Sequence, residues 1–170
     1  MLYLLDASVL ITAHQRYYPI DVVPEYWAWL QHVGAAGHVK MPFEIFDEVK
    51  DGPDGEKDLL YAWLQRQEAK DALLLPEASD THLVRKVIEE GYGKDLTDDE
   101  LEQIGRDPFL IAAAALAPER CVVTVETSEP KKQRQNRKIP DVCKIMDVKC
   151  CDPFAFNRKL GFRTNWDKKS

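Results

Sequence analysis

Short uninterrupted apolar runs alternate along the chain with longer stretches of near-helical spacing. Apolar runs of this kind read as strands buried on both faces, and the amphipathic stretches between them as crossover helices. Leu2-Tyr3-Leu4-Leu5 leads into Asp6 and predicts a first strand over about residues 2–6. A helix should follow through about Tyr17 and stop before Pro19. Trp27, Leu30 and Val33 predict a helix over 23–35, and residues 38–41, after Gly37, a short strand. Pro42 suits the first turn of a helix carrying Phe43, Phe46 and Val49. Gly52-Pro53-Asp54-Gly55 reads as a turn, Leu59 to Leu64 as a helix, and residues 72–75 as a strand stopped by Pro76.

In the second half, residues 80–90 predict a helix ended by Gly91. Thr97-Asp98-Asp99-Glu100 is a capping box ahead of Leu101 and Ile104. Asp107-Pro108 opens a helix through Leu116 that is apolar nearly all round, so it should be buried. Residues 121–124 predict a strand, 127–138 a polar, basic loop, 147–151 a last strand and 153–160 a last helix. The alternation is that of an α/β fold with a mostly parallel central sheet. With no repeat and no linker, one domain should span residues 1–164, with a frayed tail over 165–170.

Composition narrows the classes. The chain has 170 residues, 45% hydrophobic and 31% charged, enough to bury a core and stay soluble. No apolar run approaches the roughly 20 residues that span a bilayer. The opening has neither a basic segment nor a cleavage site, so no secretory leader is expected and the setting should be cytoplasmic. Cys121, Cys143, Cys150 and Cys151 show no zinc-ligand spacing with each other or with His14, His32, His38 and His82. Reduced thiols are expected, with Cys150 and Cys151 on opposite faces of a strand. The net charge of −6 argues against a protein that coats nucleic acid with bulk positive charge. It leaves room for a nuclease with an acidic, metal-binding pocket and a local basic surface.

Asp6, Glu48, Asp107 and Glu126 occupy recurring positions in this plan. Asp6 ends the first strand, Asp107 caps the buried helix, and Glu126 follows the strand ending at Thr124. Parallel topology puts those places on the carboxyl edge of the sheet, where α/β folds bind ligands. Glu48 reaches that edge only if its helix leans over the cleft. Each has a plainer reading: Asp6 and Asp107 as helix caps, Glu48 as a solvated helix face, Glu126 as a loop residue. Taken together they are harder to dismiss. Like charges about 4 Å apart repel by roughly 4 kcal/mol per pair at an effective dielectric near 20. A gathered set therefore calls for a cation, and hard oxygen donors without histidine select Mg²⁺ or Mn²⁺. Such ions activate water and stabilise the leaving oxygen of a phosphodiester.

Four segments carry a resemblance. Leu4-Leu5-Asp6-Ala7-Ser8-Val9-Leu10-Ile11 resembles the opening motif of PIN-domain ribonucleases. Glu48-Val49-Lys50-Asp51-Gly52 is similar to their glutamate motif, with Val for Leu. Arg106-Asp107-Pro108-Phe109-Leu110-Ile111-Ala112 resembles the third, and Val122-Val123-Thr124-Val125-Glu126 the fourth, with Glu for Asp. They stand in order over residues 2–126. The segment Lys138-Ile139-Pro140-Asp141-Val142-Cys143 and the length resemble the DUF4411-type bacterial branch rather than the shorter VapC toxins. The resemblance implies a PIN-like α/β/α sandwich and a metal-dependent RNA endonuclease, often the toxin paired with an antitoxin protein. It implies Asp6, Glu48 and Asp107 as metal ligands, directly or through water, with Glu126 completing a second or water-mediated position. Ser8 stands where Asn is common. Glu44 competes for the glutamate role but lacks the downstream Gly. Ser8 and Thr124 are expected to support the carboxylates or a metal-bound water, the plainer reading being cap or strand-end hydroxyls. Asp141 could extend the acidic pocket, but a turn role after Pro140 is preferred.

Lys131, Lys132, Arg134, Arg137 and Lys138 crowd the loop after Glu126 in an otherwise acidic chain. They are expected to contact an RNA backbone, against the plainer reading of a solvated loop. Two rival functions remain. A Mg-dependent phosphatase would use Asp6 as nucleophile, but its motif wants an acid where Ser8 stands. A catalytically silent PIN module would only bind RNA or a protein partner. Tyr17, Tyr18, Tyr26, Trp27 and Trp29 could form a homodimer or antitoxin face, though core packing is the better reading.

Overall fold

The computed structural model describes residues 1–49 and 58–168. Strand β1 (Leu2–Leu5) feeds α1 (Ala7–Thr12), whose end widens into a π-type turn over Ala13–Tyr17, closed by Tyr18 N–H on the Ala13 carbonyl at 2.7 Å. Helix α2 (Pro24–Ala35) returns to β2 (Val39–Lys40). A helical run then follows: α3 (Phe43–Glu48), α4 (Leu59–Leu64), α5 (Gln67–Leu73), α6 (Thr81–Lys86), α7 (Asp98–Ile104) and α8 (Asp107–Ala115). Strand β3 (Arg120–Val123) leads through a loop to α9 (Ile139–Ile145), β4 (Lys149–Cys151) and α10 (Pro153–Lys159).

The described strands form one parallel sheet in the order β2-β1-β3-β4, flanked by helices. This is the α/β sandwich with a parallel centre that the alternating pattern predicts. Because every pairing is parallel, all strands end on one edge. β1 and β3 are neighbours there, with Leu5 opposite Val123. The chain leaves β1 toward one side of the sheet and continues from β3 toward the other, so their ends mark the topological switch point.

The interior explains why these runs are apolar on both faces. Leu4, Leu5, Val39, Val122 and Val123 are fully buried between the helical layers. Helix α8 buries Leu110, Ile111 and Ala112. Tyr26, Trp27 and Trp29 lie in an aromatic core with Trp63, Phe156 and Phe162, so they are packing residues, whereas Tyr17 stays half exposed. All four cysteines are free thiols; Cys151 meets Cys121 at 3.7 Å while Cys150 faces Cys143. Among the described residues no helix is long and apolar enough to cross a membrane.

Several expectations need correction. Residues 72–75 are not a strand: Ala72 and Leu73 finish α5, and only Leu74 bridges to Met41. Four apolar residues fit either reading, and Ala69, Ala72 and Leu73 share the buried helical face. Gly91 does not end its helix, which widens to a π-type turn over Val87–Tyr92. A Cβ on Gly91 would lie 2.6 Å from Val142 Cγ1, so the missing side chain lets α9 approach. Helix α9 itself was not expected, although Pro140 in its first turn and buried Ile139, Val142 and Cys143 carry its signal. Within the tail, the Trp166 indole N–H donates to the Glu25 carbonyl at 3.1 Å and its ring lies against His32, which leaves the expected fraying over 165–170 neither supported nor overturned. The predicted Gly52–Gly55 turn, the Lys50-Asp51-Gly52 part of the glutamate motif and residues 169–170 lie outside the described residues.

Gly105 sets the entry to α8. Its φ of 53° and ψ of −122° belong to a region that only glycine enters readily, and they turn the chain from α7 toward Asp107. Gly105→Ala should therefore cost about 1–3 kcal/mol. Urea unfolding measures this; an unshifted midpoint would mean the turn accepts a side chain.

Candidate functional site

Asp6 sits at the N-cap position of α1, but its carboxylate caps nothing. It is 6% exposed and turned instead to two hydroxyls. Ser8 Oγ donates a short hydrogen bond to Asp6 Oδ2, and Thr124 Oγ1 donates to the same oxygen at 2.9 Å. Thr124 in turn accepts from the Glu126 N–H at 3.2 Å. The ends of β1 and β3 are thus tied through a carboxylate rather than through backbone alone. Burial raises the Asp6 pKa, the two hydroxyl bonds pull it back, and the Glu126 charge raises it.

Asp107 is the first residue of α8; Arg106 occupies the N-cap position, and its guanidinium, a donor only, accepts no first-turn N–H. The expected cap role of Asp107 is thereby replaced. With Pro108 next, the first turn needs fewer capping acceptors. Its pKa is pushed up to about 8, first by burial, then by the charges of Asp6, Glu126 and Glu48; Lys138 lowers it. Asp6, Glu48, Asp107 and Glu126, spread over most of the sequence, therefore share one electrostatic environment. Glu48 belongs to that set. The carboxylate of Glu44 instead accepts from Ser79 Oγ at 2.7 Å. Arg106 ties α3 to this corner by donating to the Glu44 carbonyl at 2.9 Å and to Asp47 at 3.4 Å.

Glu126 has a second duty. Its Oε2 accepts the Ile139 N–H at 2.8 Å, at the start of α9, and Lys138 Nζ lies 3.7 Å from its Oε1. An acidic side chain at that helix start satisfies the Ile139 N–H, one of the first-turn donors that have no partner within the helix. Asp141 is not in a turn but in the first turn of α9. There it accepts from Ser128 Oγ and from Glu129 N–H at 2.7 Å, pinning the loop.

Sequence reasoning missed Tyr92. It is 2% exposed at the end of the π-type turn, and its hydroxyl has no hydrogen-bond partner among the described residues. Its pKa is raised by burial and by Asp107, Glu126, Cys143 and Asp6. An isolated tyrosine after Gly91 gave no signal, because the turn that carries it inward is not legible as a motif.

The basic loop divides in two. Arg134 is a strut: it donates to both Glu100 carboxylate oxygens at 2.6 and 2.7 Å and to the Asp95 carbonyl, holding Glu100 down to about 2. Arg137 donates to the Gly91 carbonyl at 2.7 Å. Lys131 makes no ion pair among the described residues, and Lys132 only a loose one with Glu129 at 3.9 Å. The loop nevertheless stands beside the acids. A cavity of about 190 Å³ is lined by Asp107 and Glu126 together with Lys132, Arg137 and Lys138.

The donor set suits a hard divalent cation in chemistry: oxygen only, with mutual repulsion that a cation relieves. In spacing it is open. Among the described residues, no group of three or more His, Cys, Asp or Glu side chains is already arranged to hold an ion. Glu126 is held toward α9 by Ile139 and Lys138, yet its charge acts on Asp107 ahead of that of Glu48.

Residues 3–164 match the family described as a domain of unknown function, DUF4411. The chain belongs to that family. The match runs from β1 to beyond α10 and so takes in every residue of the acidic corner. A comparison with curated proteins finds no match.

Proposed function

We propose that this DUF4411 protein is a Mg²⁺- or Mn²⁺-dependent endoribonuclease of the PIN type, acting on single-stranded RNA as the toxin of a toxin–antitoxin pair. The observation that supports this best is the Asp107 carboxyl, pushed up to about 8 by burial and by Asp6, Glu126 and Glu48. A fold that gathers such charges at a topological switch point has a use for a cation there.

Each residue has a role. Asp6, fixed by Ser8 and Thr124, is a rigid acceptor whose orientation needs no reorganisation. Asp107 holds a proton near neutral pH and must release it before it can act as a ligand. Glu48 adds negative charge from α3. Lys132, Arg137 and Lys138 line the same cavity as Asp107 and Glu126 and would offset the repulsion of an incoming phosphate. When bound, the ion would supply an activated water and charge neutralisation at the leaving oxygen.

The catalytically silent PIN module is favoured by one observation: Glu126 is spent on Ile139 and Lys138. The phosphatase reading gains nothing, since Asp6 is buried with both hydroxyls on one oxygen. The deciding experiment incubates the purified protein with single-stranded RNA in Mg²⁺ or Mn²⁺, with an EDTA control. Cleavage that EDTA stops is expected. Absence of cleavage in both metals, with the protein folded, would favour the silent module.

The loop offers a second check. Lys131 and Lys132 are the cations of the run least committed to structure, so Lys131→Ala with Lys132→Ala should leave the fold intact. For single strands the slope of log K against log[salt] is roughly 0.7 per phosphate contact, so the double variant should flatten it by up to about 1.4. Binding over a salt series reads this directly, and an unchanged slope assigns the two lysines to solvent.

A further inference from the structure

On the same edge, a second cavity of about 240 Å³ lies under the start of α10. Its wall includes Val9, Tyr17, Tyr18, Val125, Phe154 and Asn157. Two features set it apart from an ordinary surface dimple. Asn157 is 7% exposed, and its Oδ1 has no hydrogen-bond partner among the described residues. Leaving a buried amide oxygen unmatched is costly, and a ligand donor that reaches it removes the cost. Tyr17 and Phe154, meanwhile, are 50% and 43% exposed with their rings in edge contact at 5.3 Å. They give the mouth of the cavity an aromatic rim.

We infer that this cavity is a nucleobase subsite, in which a base of a single-stranded nucleic acid stacks on the Tyr17–Phe154 rim and pairs with the Asn157 amide. The chemistry of the wall selects such an occupant. Among the described residues no lysine or arginine lines it, so a phosphate finds no cationic partner in that wall. The one charged residue, Asp152, is negative and already accepts from the Phe154 and Ala155 N–H groups at 2.8 Å. What fits is neutral, flat and carries polar groups on its edge. An asparagine amide offers acceptor and donor side by side, the pattern that matches a base edge, and aromatic faces accept any base by stacking.

The position ties this cavity to the acids. Val125 in its wall lies between Thr124, which holds Asp6, and Glu126. Thr127 and Asp152 are shared with a third, open cavity whose wall includes Glu126 and Lys144. Glu126 is shared in turn with the cavity at Asp107 and Lys132. The three hollows adjoin along the carboxyl edge of the sheet. A strand whose phosphate sits at the acids thus has a place for a neighbouring base beyond Glu126.

The presence of a strand rests on the nuclease reading, so the test separates the two. Saturation-transfer NMR with adenosine, cytidine, guanosine and uridine probes the cavity without phosphodiester chemistry. Fluorescence polarisation then compares an intact oligoribonucleotide with versions carrying one abasic position, in the Asp107→Asn background to prevent cleavage. Saturation transfer to wild type and its loss in Asn157→Leu are expected. Asn157→Leu should melt no lower than wild type, since it removes an unmatched polar group; a purely structural asparagine would give a lower Tm. Phe154→Ala, at the surface, is the second variant. Each should weaken oligonucleotide binding by about 5- to 150-fold, as should one abasic position. Equal binding by wild type and both variants, with no nucleoside signal, overturns the inference while leaving RNA cleavage free to stand. Nucleoside binding without any RNA cleavage keeps the subsite and removes the nuclease. Binding of an apolar peptide at this surface, with none of the nucleosides, makes it a protein-docking site and also overturns the inference.

Discussion

Asp6→Asn and Asp107→Asn should each lower divalent-dependent cleavage of single-stranded RNA by at least about a hundredfold, the scale on which loss of one charge-stabilising group slows an enzyme. Both substitutions keep shape and an acceptor oxygen but remove the charge that would hold the ion. Asn at position 6 can still take a hydroxyl bond from Ser8 or Thr124, so the tie between β1 and β3 survives. Glu126→Gln should do less. Its amide oxygen can still accept the Ile139 N–H, and the carboxylate it replaces is already turned toward α9. Single-turnover cleavage alongside far-UV circular dichroism measures the series. Full activity in folded Asp6→Asn or Asp107→Asn would dismiss the site, and cleavage that EDTA leaves untouched would dismiss the metal.

The difference expected between Glu126 and the two aspartates is also where reading the sequence stopped short. Strand ends follow from apolar runs and parallel topology, so Asp6 and the stretch after Thr124 could be put on one edge before any coordinates existed. The buried helix behind Asp107 was legible because Leu110, Ile111 and Ala112 leave no polar face. What an acid does with its oxygens was not legible. Asp6 and Asp107 both looked like caps, and neither uses its side chain as one. Glu126, which looked like a loop residue, meets the first turn of a helix that the sequence did not announce. Side-chain partners depend on segments far away in sequence, and periodicity within a segment carries no trace of them.

The basic loop teaches the same lesson from the other side. Lys131 to Lys138 reads as one patch of positive charge because charge is counted by position. In the fold, Arg134 is consumed by Glu100 in the capping turn of α7, and Arg137 by the carbonyl of Gly91. A guanidinium with several directed donors is the side chain best suited to bracing a loop, while a lysine ammonium stays available at the surface. The run therefore combines struts with contacts, and Gly91 serves both the strut and the approach of α9.

Stability without metal should fall as the pH rises from about 4 to about 8, and Asp107→Asn should remove most of that fall. The sign follows from linkage. The Asp107 carboxyl is raised in the folded state from 3.8 to about 8, so between those values the unfolded chain has released a proton that the folded chain still holds. Stability is greatest below the lower value, declines through the window, and levels off above the higher one. The full shift corresponds to at most about 6 kcal/mol, a ceiling that neighbouring carboxylates sharing the proton would reduce. Asp6, also raised, adds to the same slope. The Glu100–Arg134 pair has the opposite sign: Glu100 is lowered from 4.5 to about 2, so its contribution is present above the higher value and is lost as the pH falls from there through the lower one. Urea midpoints at about pH 5 and about pH 8 therefore isolate the acidic corner. Wild type should lose stability between them, and Asp107→Asn should lose little and be the more stable protein at the higher pH. Saturating Mg²⁺ or Mn²⁺ should restore wild type at about pH 8 and hardly move the variant, because an ion stabilises only the folded state that binds it. Parallel curves for the two proteins, with equal metal shifts, would show that the acids do not act on one another.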